Sequence, residues 1–384
     1  MRKTDVCIID SHVLVRQIIS SIIRDEKDIS ISGCTSGKNE KEVINSIYTH
    51  SPDVVFIGID EPDSRSEKLF LKLRKTYPLL PVIVVTPLNK QGAEIAINAL
   101  KDGAVEFITK PEKGNCLILS KNHFKKRIIP MLHKVTDFKM EATWGPFLPD
   151  QSKKEEISGY SDSPFYNFSR KTELVVIGGC TGGVRSLYKI ISSLPSSFPV
   201  PVIVAQHMPQ IYTGVLSEDL DRHSSLKVIE AKNNSVLLPG YVYIAPGGYH
   251  TIVKSNAQRR TLSLYRGPKV HHSRPSLDVL FWSAAQAFRE KTLGVLLSGG
   301  GKDGVEGARQ IRSYGGDLIT ESKRSSLVWD LPEKVNRKIS RGSYDSENLA
   351  TEINRRVFTI KPVTSLMKEV DSSDHMVENA QVQA

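Results

Sequence analysis

The sequence predicts an α/β protein with two doubly wound domains, each built around a parallel sheet. Short runs rich in Val and Ile alternate with amphipathic stretches over residues 1–111, and the same alternation resumes over residues 172–359. Buried parallel strands have this compact, β-branched composition, and their alternation with helices implies crossover connections. A polar stretch at 112–171 separates the two blocks. The chain of 384 residues is long enough for two such domains with substantial cores.

The first block contains five strand candidates with helical patterns between them. Apolar residues fall on one helical face over 13–24, and a further helix is predicted over 64–76. The strand candidates are residues 6–9, 29–33, 54–59, 82–85 and 105–108. Functional sites of doubly wound sheets form at the carboxyl ends of the strands. The residues at those ends are Asp10, 58–61, Thr86 and Lys110.

The segments outside the two blocks have a different composition. Residues 112–171 include the basic segment KNHFKKRIIPMLHKV, which predicts a closing helix, and then the polar stretch DQSKKEEISGYSDSP, which predicts a flexible linker. Residues 360–384 are polar and are predicted to be a disordered tail.

The second block begins with LVVIGG and VPVIVAQ, both typical of buried strands. Helices are predicted over 277–289 and 303–313. Further strand candidates are residues 226–229, 241–245, 251–253, 261–264, 293–297 and 317–320. Gly and Pro residues at 239–248 predict a hairpin-rich insertion within this domain.

Composition and charge exclude several classes of protein. No apolar run is long enough for a signal peptide or a membrane span, and the four cysteines form no C-x-x-C pair. We therefore expect a cytoplasmic protein without membrane insertion, disulfide framework or zinc site. The net charge of +10 admits an acidic protein, nucleic acid or anionic lipid as partner.

Three segments of the second block each follow a predicted strand: the glycine-rich GGCTGG and SGGGKDG, and QHMP. They supply Cys180, His207 and Asp303, which fit a nucleophile, a base and a carboxylate that orients the base. Glycines beside Cys180 allow a sharp turn into a helix whose first N–H groups can bind an oxyanion. Three alternatives stay open at this point, and the first is that His207, beside Met208 and Pro209, is a structural histidine. Cys180 can be a small buried apolar residue, or GGCTGG a phosphate-binding loop, although it lacks the Lys-Ser/Thr pair of a P-loop.

Five stretches, in this order, carry a specific resemblance: VVIGGCTGG, VIVAQHMP, VLLPGYVYIAPGGYH, SRPSLDVLF and LGVLLSGGGKDG. On these motifs, residues 173–359 resemble the catalytic domain of the bacterial chemotaxis protein-glutamate methylesterases of the CheB type. Residues 1–111 resemble the flavodoxin-like receiver domain that precedes it in that family. The resemblance implies a hydrolase that removes methyl groups from glutamate methyl esters of chemoreceptors and deamidates receptor glutamines.

The catalytic triad of this family maps onto Cys180, His207 and Asp303, and the nucleophile position holds Cys where the family has Ser. A thiolate paired with His is a competent nucleophile, so the resemblance still implies acyl transfer.

The resemblance also implies two oxyanion loops, one with Thr181 and Gly182 and the other with Gly300. Gly300 stands where the family usually has Met. Arg274, in SRPSLDVLF, is a candidate for binding acidic receptor residues, and a local structural pairing of its side chain is an equal alternative.

The receiver-like block departs from its family at the phosphoacceptor. Its residues that match the receiver pocket are Asp10, Thr86 and Lys110. The acceptor position holds Gly58, which has no side chain to phosphorylate, and Ser11 replaces an acidic residue that would help to hold magnesium. Asp60 is a weak substitute acceptor. We therefore expect no phosphorylation, a pairing of Asp10 with Lys110, and a domain that regulates or docks independently of phosphate.

The function predicted from the sequence is a protein-glutamate methylesterase that works without cofactor or metal. Its expected partners are methylated cytoplasmic helices of chemoreceptors and the chemotaxis histidine kinase, and not nucleic acid. A DNA-binding regulator does not fit, because 173–359 is too long and strand-rich for a helix-turn-helix domain. The alternative is a weak or inactive family member that binds receptors or regulates them.

Overall fold

The first unit of the structure, a computed structural model, is a five-stranded parallel sheet in the order β2-β1-β3-β4-β5. The described residues are 3–110, 125, 128–129, 131–133, 135, 166–168, 172–256, 259–336, 338–358 and 360–362. The elements of the first unit are β1 (Thr4–Ile9), α1 (Val13–Arg24), β2 (Ile29–Thr35), α2 (Glu40–His50), β3 (Val54–Gly58), α3 (Arg65–Thr76), β4 (Val82–Thr86), α4 (Lys90–Lys101) and β5 (Glu106–Thr109). All strands and helices predicted for this block are present, with ends shifted by one or two residues.

Successive side chains of each strand point to opposite faces of the sheet and pack into two apolar layers. In β1, Cys7 and Ile9 pack with residues of α2, α3 and α4, whereas Val6 and Ile8 pack with α1 on the opposite face. The described helical residues 128, 131, 132 and 135 join the layer of α1. This part of the predicted basic closing helix therefore covers one face of the sheet.

Short polar side chains begin three of these helices. Each accepts a hydrogen bond from a backbone N–H two or three residues further on, which satisfies a donor that has no partner within the helix. These capping residues are Asn39 of α2, Ser64 of α3 and Asn89 of α4.

The second unit is a seven-stranded parallel sheet in the order β15-β14-β13-β7-β8-β10-β9 with a separate antiparallel hairpin, β11-β12. Its elements are β7 (Leu174–Gly179), α5 (Gly183–Ser193), β8 (Val202–Gln206), α6 (Gln210–His223), β9 (Lys227–Glu230), β10 (Tyr241–Ile244), β11 (His250–Ser255), β12 (Arg260–Tyr265), α7 (Leu277–Phe288), β13 (Thr292–Leu296), α8 (Val305–Ser313), β14 (Asp317–Glu321), α9 (Asp330–Asn336), β15 (Ser343–Tyr344) and α10 (Ser346–Val357). The fold class predicted for both blocks is confirmed.

Two details differ from the sequence-based expectation. Strands β9 and β10 belong to the main parallel sheet, so the expected hairpin-rich insertion contains one described hairpin only. The strands β6 (Tyr166–Phe168) and β16 (Ile360–Pro362) pair antiparallel in segments predicted to be linker and tail. The rest of the linker and all of the tail after 362 lie outside the described residues. No described helix has the length and apolar composition needed to cross a membrane.

The two units pack against each other through α4 and α6. Lys101 Nζ lies 3.0 Å and 3.1 Å from the carboxylate oxygens of Asp219, and both side chains are almost fully buried. Tyr212, on α6, shares a hydrogen bond of 2.9 Å with Thr86, and its ring stacks on Phe107 with centroids 4.9 Å apart. Separation of the two units would leave Lys101 and Asp219 without each other. Since an unpaired buried charge is costly, this ion pair favours the packing seen here.

Candidate active site

Three loops meet at the carboxyl ends of the adjacent strands β13, β7 and β8. Cys180 follows β7 and His207 follows β8, while the glycine-rich loop after β13 carries Asp303. Backbone hydrogen bonds join the loops, from Cys180 N to Ser298 O and from His207 N to Gly179 O, each at 3.0 Å. The sheet order thus brings together three residues that are far apart in the sequence.

Asp303 is fixed between His207 and the start of α7. Its Oδ2 lies 2.8 Å from His207 Nε2 and accepts the backbone N–H of Leu277 at 2.9 Å. Its Oδ1 accepts the hydroxyl of Ser276 at 2.6 Å and the N–H of Asp278 at 3.1 Å. Burial raises the pKa of Asp303, but these hydrogen bonds and the charge of His207 outweigh it and hold the pKa below its usual range. Asp303 is therefore ionised, and four hydrogen bonds fix the orientation of its carboxylate.

The thiol of Cys180 is surrounded by groups that stabilise its anion. Burial raises the pKa of Cys180, but the charge and hydrogen bond of His207, with hydrogen bonds from the backbone at Thr181 and Gly300, lower it to about 7. A thiolate is a far stronger nucleophile than a thiol. Cys180 is thus ready to attack a carbonyl near neutral pH.

His207 is the complementary cation. Burial lowers its pKa, but the negative charge of Cys180 and the hydrogen bond to Asp303 outweigh it and raise the pKa of His207 to about 10. Since Nε2 is taken by Asp303, Nδ1 is the ring nitrogen left to bond Cys180. The two shifts favour a thiolate on Cys180 and an imidazolium on His207, with Asp303 hydrogen bonded to Nε2 of the ring.

These pKa values predict the pH dependence of hydrolysis. The thiolate is lost as pH falls through about 7 and the imidazolium is lost as pH rises through about 10. Because the pair titrates as a unit, kcat/KM should rise to a plateau above pH 7 and fall near pH 10. Steady-state rates from pH 5 to 11 check this. A first rise at pH 8.5 or higher, where an unassisted thiol titrates, would contradict the assignment.

Asp303→Asn should lower kcat by on the order of 10⁴-fold, as the corresponding change does in serine hydrolases. The amide holds the wrong tautomer of His207 and no longer offsets its positive charge. The matched control is Glu306→Gln, which neutralises an exposed carboxylate on the nearby helix α8. Equal kcat values for the two variants would show that Asp303 has no role in catalysis.

The loop after Cys180 requires glycine at position 182. Gly182 has φ of +81°, and a Cβ there would lie 2.5 Å from Leu327 Cβ. Its N–H donates to Glu106 Oε2 of the first unit at 2.9 Å. The expectation that this loop binds an oxyanion therefore applies to the N–H of Thr181, while the N–H of Gly182 is already engaged. Sequence reasoning missed Glu106, because nothing near it in the sequence indicates a contact with the other unit.

Ser298 links the loop that carries Cys180 to the loop that follows β13. Its hydroxyl donates to Thr181 O at 2.8 Å and accepts the N–H of Val328 at 2.9 Å. Its own N–H donates to the fully buried carboxylate of Glu321 at 2.8 Å. Ser298 and Ser276 were not predicted as site residues. Both lie inside the motifs that carried the resemblance, and that position is the signal that could have found them.

Arg274 is not in contact with the triad among the described residues. Its Nη1 donates to Gly267 O at 2.7 Å, and its own carbonyl accepts the N–H of Gly248 at 3.0 Å. The local structural pairing, one of the two alternatives for this residue, is thus present. The link of Arg274 to the site is its position in the chain, two residues before Ser276, which donates to Asp303.

The pocket of the first unit is filled by its own charges. Lys110 Nζ lies 3.0 Å from Asp10 Oδ2 and 2.8 Å from Asp60 Oδ1, so the expected pairing of Asp10 with Lys110 is present. Asp10, His12 and Asp60 place potential ligand atoms within 4.8 Å of one another. However, Gly58 offers no carboxylate, and the Lys110 ammonium sits where a cation would bind. These residues therefore do not fit the magnesium ion that receiver domains use.

Gly58→Ala should lower the free energy of unfolding by about 1–3 kcal/mol, the usual cost of overpacking. A Cβ at Gly58 would lie 1.8 Å from Asp10 Oδ2, so Asp10 would have to leave its place beside Lys110. Gly214→Ala is the control, because a Cβ there has no neighbour closer than 3.8 Å. Thermal melts of both variants test this, and equal melting temperatures would show that Asp10 moves freely.

Comparisons with known proteins place these two units in a family. The family models for the CheB methylesterase and for the response regulator receiver domain match residues 175–353 and 6–120. A protein-glutamate methylesterase/protein-glutamine glutaminase of Trichodesmium erythraeum is 31% identical over 359 residues, which cover 93% of this chain and 100% of that protein. The chain belongs to the CheB methylesterase family.

Other CheB relatives agree with this assignment. A protein of the same name from Thermotoga maritima is 33% identical over 339 residues, covering 87% of this chain and 92% of its own length. The crystal structure of the Thermotoga maritima CheB methylesterase catalytic domain is similar at 37% identity and a TM-score of 0.47, covering 47% of this chain and 97% of that one. The family models and the curated relatives confirm the resemblance inferred from the sequence motifs, and the chain carries a receiver domain followed by a CheB methylesterase domain.

Proposed function

We propose that this chain hydrolyses glutamate methyl esters of chemoreceptors and deamidates receptor glutamines, with Cys180, His207 and Asp303 as its catalytic residues. The observation that carries the proposal is that Cys180, His207 and Asp303 follow adjacent strands of one sheet, with His207 Nε2 2.8 Å from Asp303 Oδ2, within a CheB methylesterase domain. The lowered pKa of Cys180 supports it. The curated relatives are named for the same two activities.

Acylation begins with the Cys180 thiolate, which attacks the ester carbonyl carbon. The backbone N–H groups of Thr181 and Gly300, which stabilise the thiolate before reaction, hold the oxyanion as it forms. When the intermediate collapses, the bond to the methoxy oxygen breaks and the His207 imidazolium donates its proton. Methanol leaves and a glutamyl thioester remains on Cys180. With glutamine as substrate, ammonia leaves instead.

Deacylation uses His207 as a general base. The neutral imidazole takes a proton from water while the water oxygen attacks the thioester carbonyl. Cys180 leaves as a thiolate, and the product acid releases its proton to solvent as glutamate. Asp303, held by the start of α7, keeps the ring oriented through both steps. The thiolate–imidazolium pair is restored.

Methanol release from membranes that carry receptors with radiolabelled methyl esters tests the proposal. The full chain should release volatile label well above a blank without enzyme, and Cys34→Ala, a change at an exposed cysteine of the receiver domain, should release it equally fast. A rate at the level of the blank would overturn the methylesterase assignment.

A Cys180→Ser variant distinguishes the inactive alternative. If the family's serine alone gives turnover and the natural chain gives none, Cys180 disables the site, and the chain acts as a receptor-binding or regulatory protein. If the natural chain is active, that alternative is excluded. Serine keeps the connectivity but shortens the bond to the nucleophile, so an active wild-type site tuned to sulfur should lose on the order of a hundredfold on this change.

The partners we propose are methylated, glutamate-rich cytoplasmic helices of chemoreceptors and the chemotaxis histidine kinase, in the cytoplasm. The net charge of +10 favours acidic partners, and their binding should weaken as salt rises. We also propose the domain limits as a receiver domain at 1–111, a basic helix and linker at 112–171, a catalytic domain at 172–359 and a tail at 360–384.

The receiver domain is proposed to act without phosphorylation. Gly58 stands at the acceptor position, and the Asp10–Lys110–Asp60 ion pairs fill the pocket. Incubation with a small phosphodonor and magnesium should therefore leave the protein unmodified. Acid-labile, hydroxylamine-sensitive phosphate on residues 1–111 would contradict this.

A further inference from the structure

The helices α7 and α8 begin next to each other, and the start of each is bound by a carboxylate from the start of the other. Asp303 lies just before α8, and its carboxylate accepts the N–H groups of Leu277 and Asp278 at 2.9 Å and 3.1 Å. Asp278 Oδ1 accepts the N–H groups of Gly304 at 2.9 Å and of Gly307 at 2.7 Å. Since the first N–H groups of a helix have no partner within it, this exchange of carboxylates holds both helix starts.

The N-cap residue of α8 has no side chain with which to cap the helix. It is Gly304, and both Gly304 and Gly307 are buried. The two helices touch at this point, since a Cβ at Gly307 would lie 2.9 Å from Asp278 Cα and 2.7 Å from Phe281 Cβ. Loss of the Asp278 carboxylate would therefore leave two buried N–H groups without this acceptor, and an unsatisfied buried donor is costly.

We propose that Asp278 is a positioning residue for hydrolysis, which places His207 through Asp303. The Asp278 carboxylate fixes the backbone on the C-terminal side of Asp303, and the Asp278 N–H holds Asp303 Oδ1. Asp303 Oδ2 then lies 2.8 Å from His207 Nε2. The inference rests on the proposed function, in which Asp303 orients the imidazole that exchanges the proton. A shift of Asp303 by about 1 Å would misplace that ring, which can cost on the order of a hundredfold in rate.

The contacts of Asp278 indicate that its acceptor oxygen matters more than its charge. Oδ1 accepts both N–H groups of α8, and Oδ2 lies 3.5 Å from Nε2 of the exposed His271. Burial and the charge of Asp303 raise the pKa of Asp278, although the N–H of Gly307 opposes them. A second negative charge beside Asp303 is therefore unfavourable. Asparagine keeps the acceptor oxygen without the charge, and alanine removes both, so the two variants separate hydrogen bonding from charge.

Methanol release by the full chain tests this placement. Asp278→Ala should lower kcat on the order of a hundredfold and leave KM unchanged, because Asp278 is 8% exposed and acts through Asp303. Asp278→Asn should keep kcat close to that of the natural chain. The control is Asp221→Ala, which removes a carboxylate that accepts the N–H of Val228 at 2.7 Å, in the edge strand β9, and should leave kcat unchanged. An Asp278→Ala chain with the natural kcat, or an Asp278→Asn chain as slow as Asp278→Ala, would overturn the inference.

Proton NMR tests the same placement without turnover. The proton between His207 Nε2 and Asp303 Oδ2 should give a resonance far downfield, assigned by its absence in Asp303→Asn. The signal should persist in Asp278→Asn and Asp221→Ala, and it should be lost in an Asp278→Ala chain that shows a cooperative thermal melt. If Asp278→Ala does not fold, Asp278→Asn decides, since loss of its signal or of its kcat would overturn the inference. Absence of methanol release by the natural chain would overturn the proposed function alone, because the NMR comparison would still stand.

Discussion

Cys180→Ala is expected to lower kcat for methanol release by on the order of 10⁵- to 10⁶-fold, as loss of the nucleophile does in serine hydrolases. The alanine has no atom that can form the acyl-enzyme. Only substrate binding and the N–H groups at Thr181 and Gly300 remain to stabilise a direct attack by water. The substitution keeps Cβ, which packs close to Gly299, so the loop itself should be preserved.

Thermal melts separate loss of chemistry from loss of structure in this variant. Cys180→Ala should melt within a few degrees of the natural chain, and Cys34→Ala should keep its full rate. A Cys180→Ala chain that folds and still releases methanol at a tenth of the normal rate would show that another residue is the nucleophile.

His207→Gln is expected to lower kcat by a similar factor, on the order of 10⁵-fold, because the base and nucleophile act as a unit. Glutamine can still donate to Asp303, but it neither carries a positive charge nor exchanges a proton. Loss of that charge also raises the pKa of the Cys180 thiol, so any residual rate should climb at higher pH than in the natural chain.

The control for His207 is His50→Gln, at the exposed end of α2 in the receiver domain. It removes an imidazole of the same kind from a surface far from the site in the sequence and should leave kcat unchanged. If both variants kept the same rate, the proposed general base would be wrong.

The fold and the composition of the candidate site were largely accessible from the sequence. Cys180, His207 and Asp303 each lie in a segment that follows a buried strand, and parallel strands bring their carboxyl ends to one edge. Order along the chain could not reveal that β13, β7 and β8 are adjacent. The family resemblance implied that the three residues act together, and the sheet shows the strand adjacency that brings them to one edge.

The contacts between the two domains could not be predicted from the sequence, because no local sequence pattern encodes them. Glu106 begins the buried strand β5 of the receiver domain, yet its carboxylate accepts the N–H of Gly182 in the other domain. Likewise Thr86, expected in the receiver pocket, is hydrogen bonded to Tyr212. Such pairs depend on how two surfaces meet.

The acceptor position at Gly58 shows a further limit of prediction from the sequence. The sequence predicts that no phosphoacceptor stands there, but not what takes its place. The structure shows the carboxylate of Asp10 in the space that a Cβ at position 58 would need, held by Lys110. The Asp10–Lys110 pair therefore occupies the space beside Gly58.

The central claim is that Cys180 is a thiolate held by His207, and the rate of its alkylation by iodoacetamide measures this most directly. In the natural chain, the rate should rise with pH to an inflection near 7, and in His207→Gln the inflection should move up toward 8.5, the value of a free thiol. Peptide mass spectrometry assigns the modified residue. An inflection at or above 8.5 in the natural chain, unchanged in His207→Gln, would contradict the account.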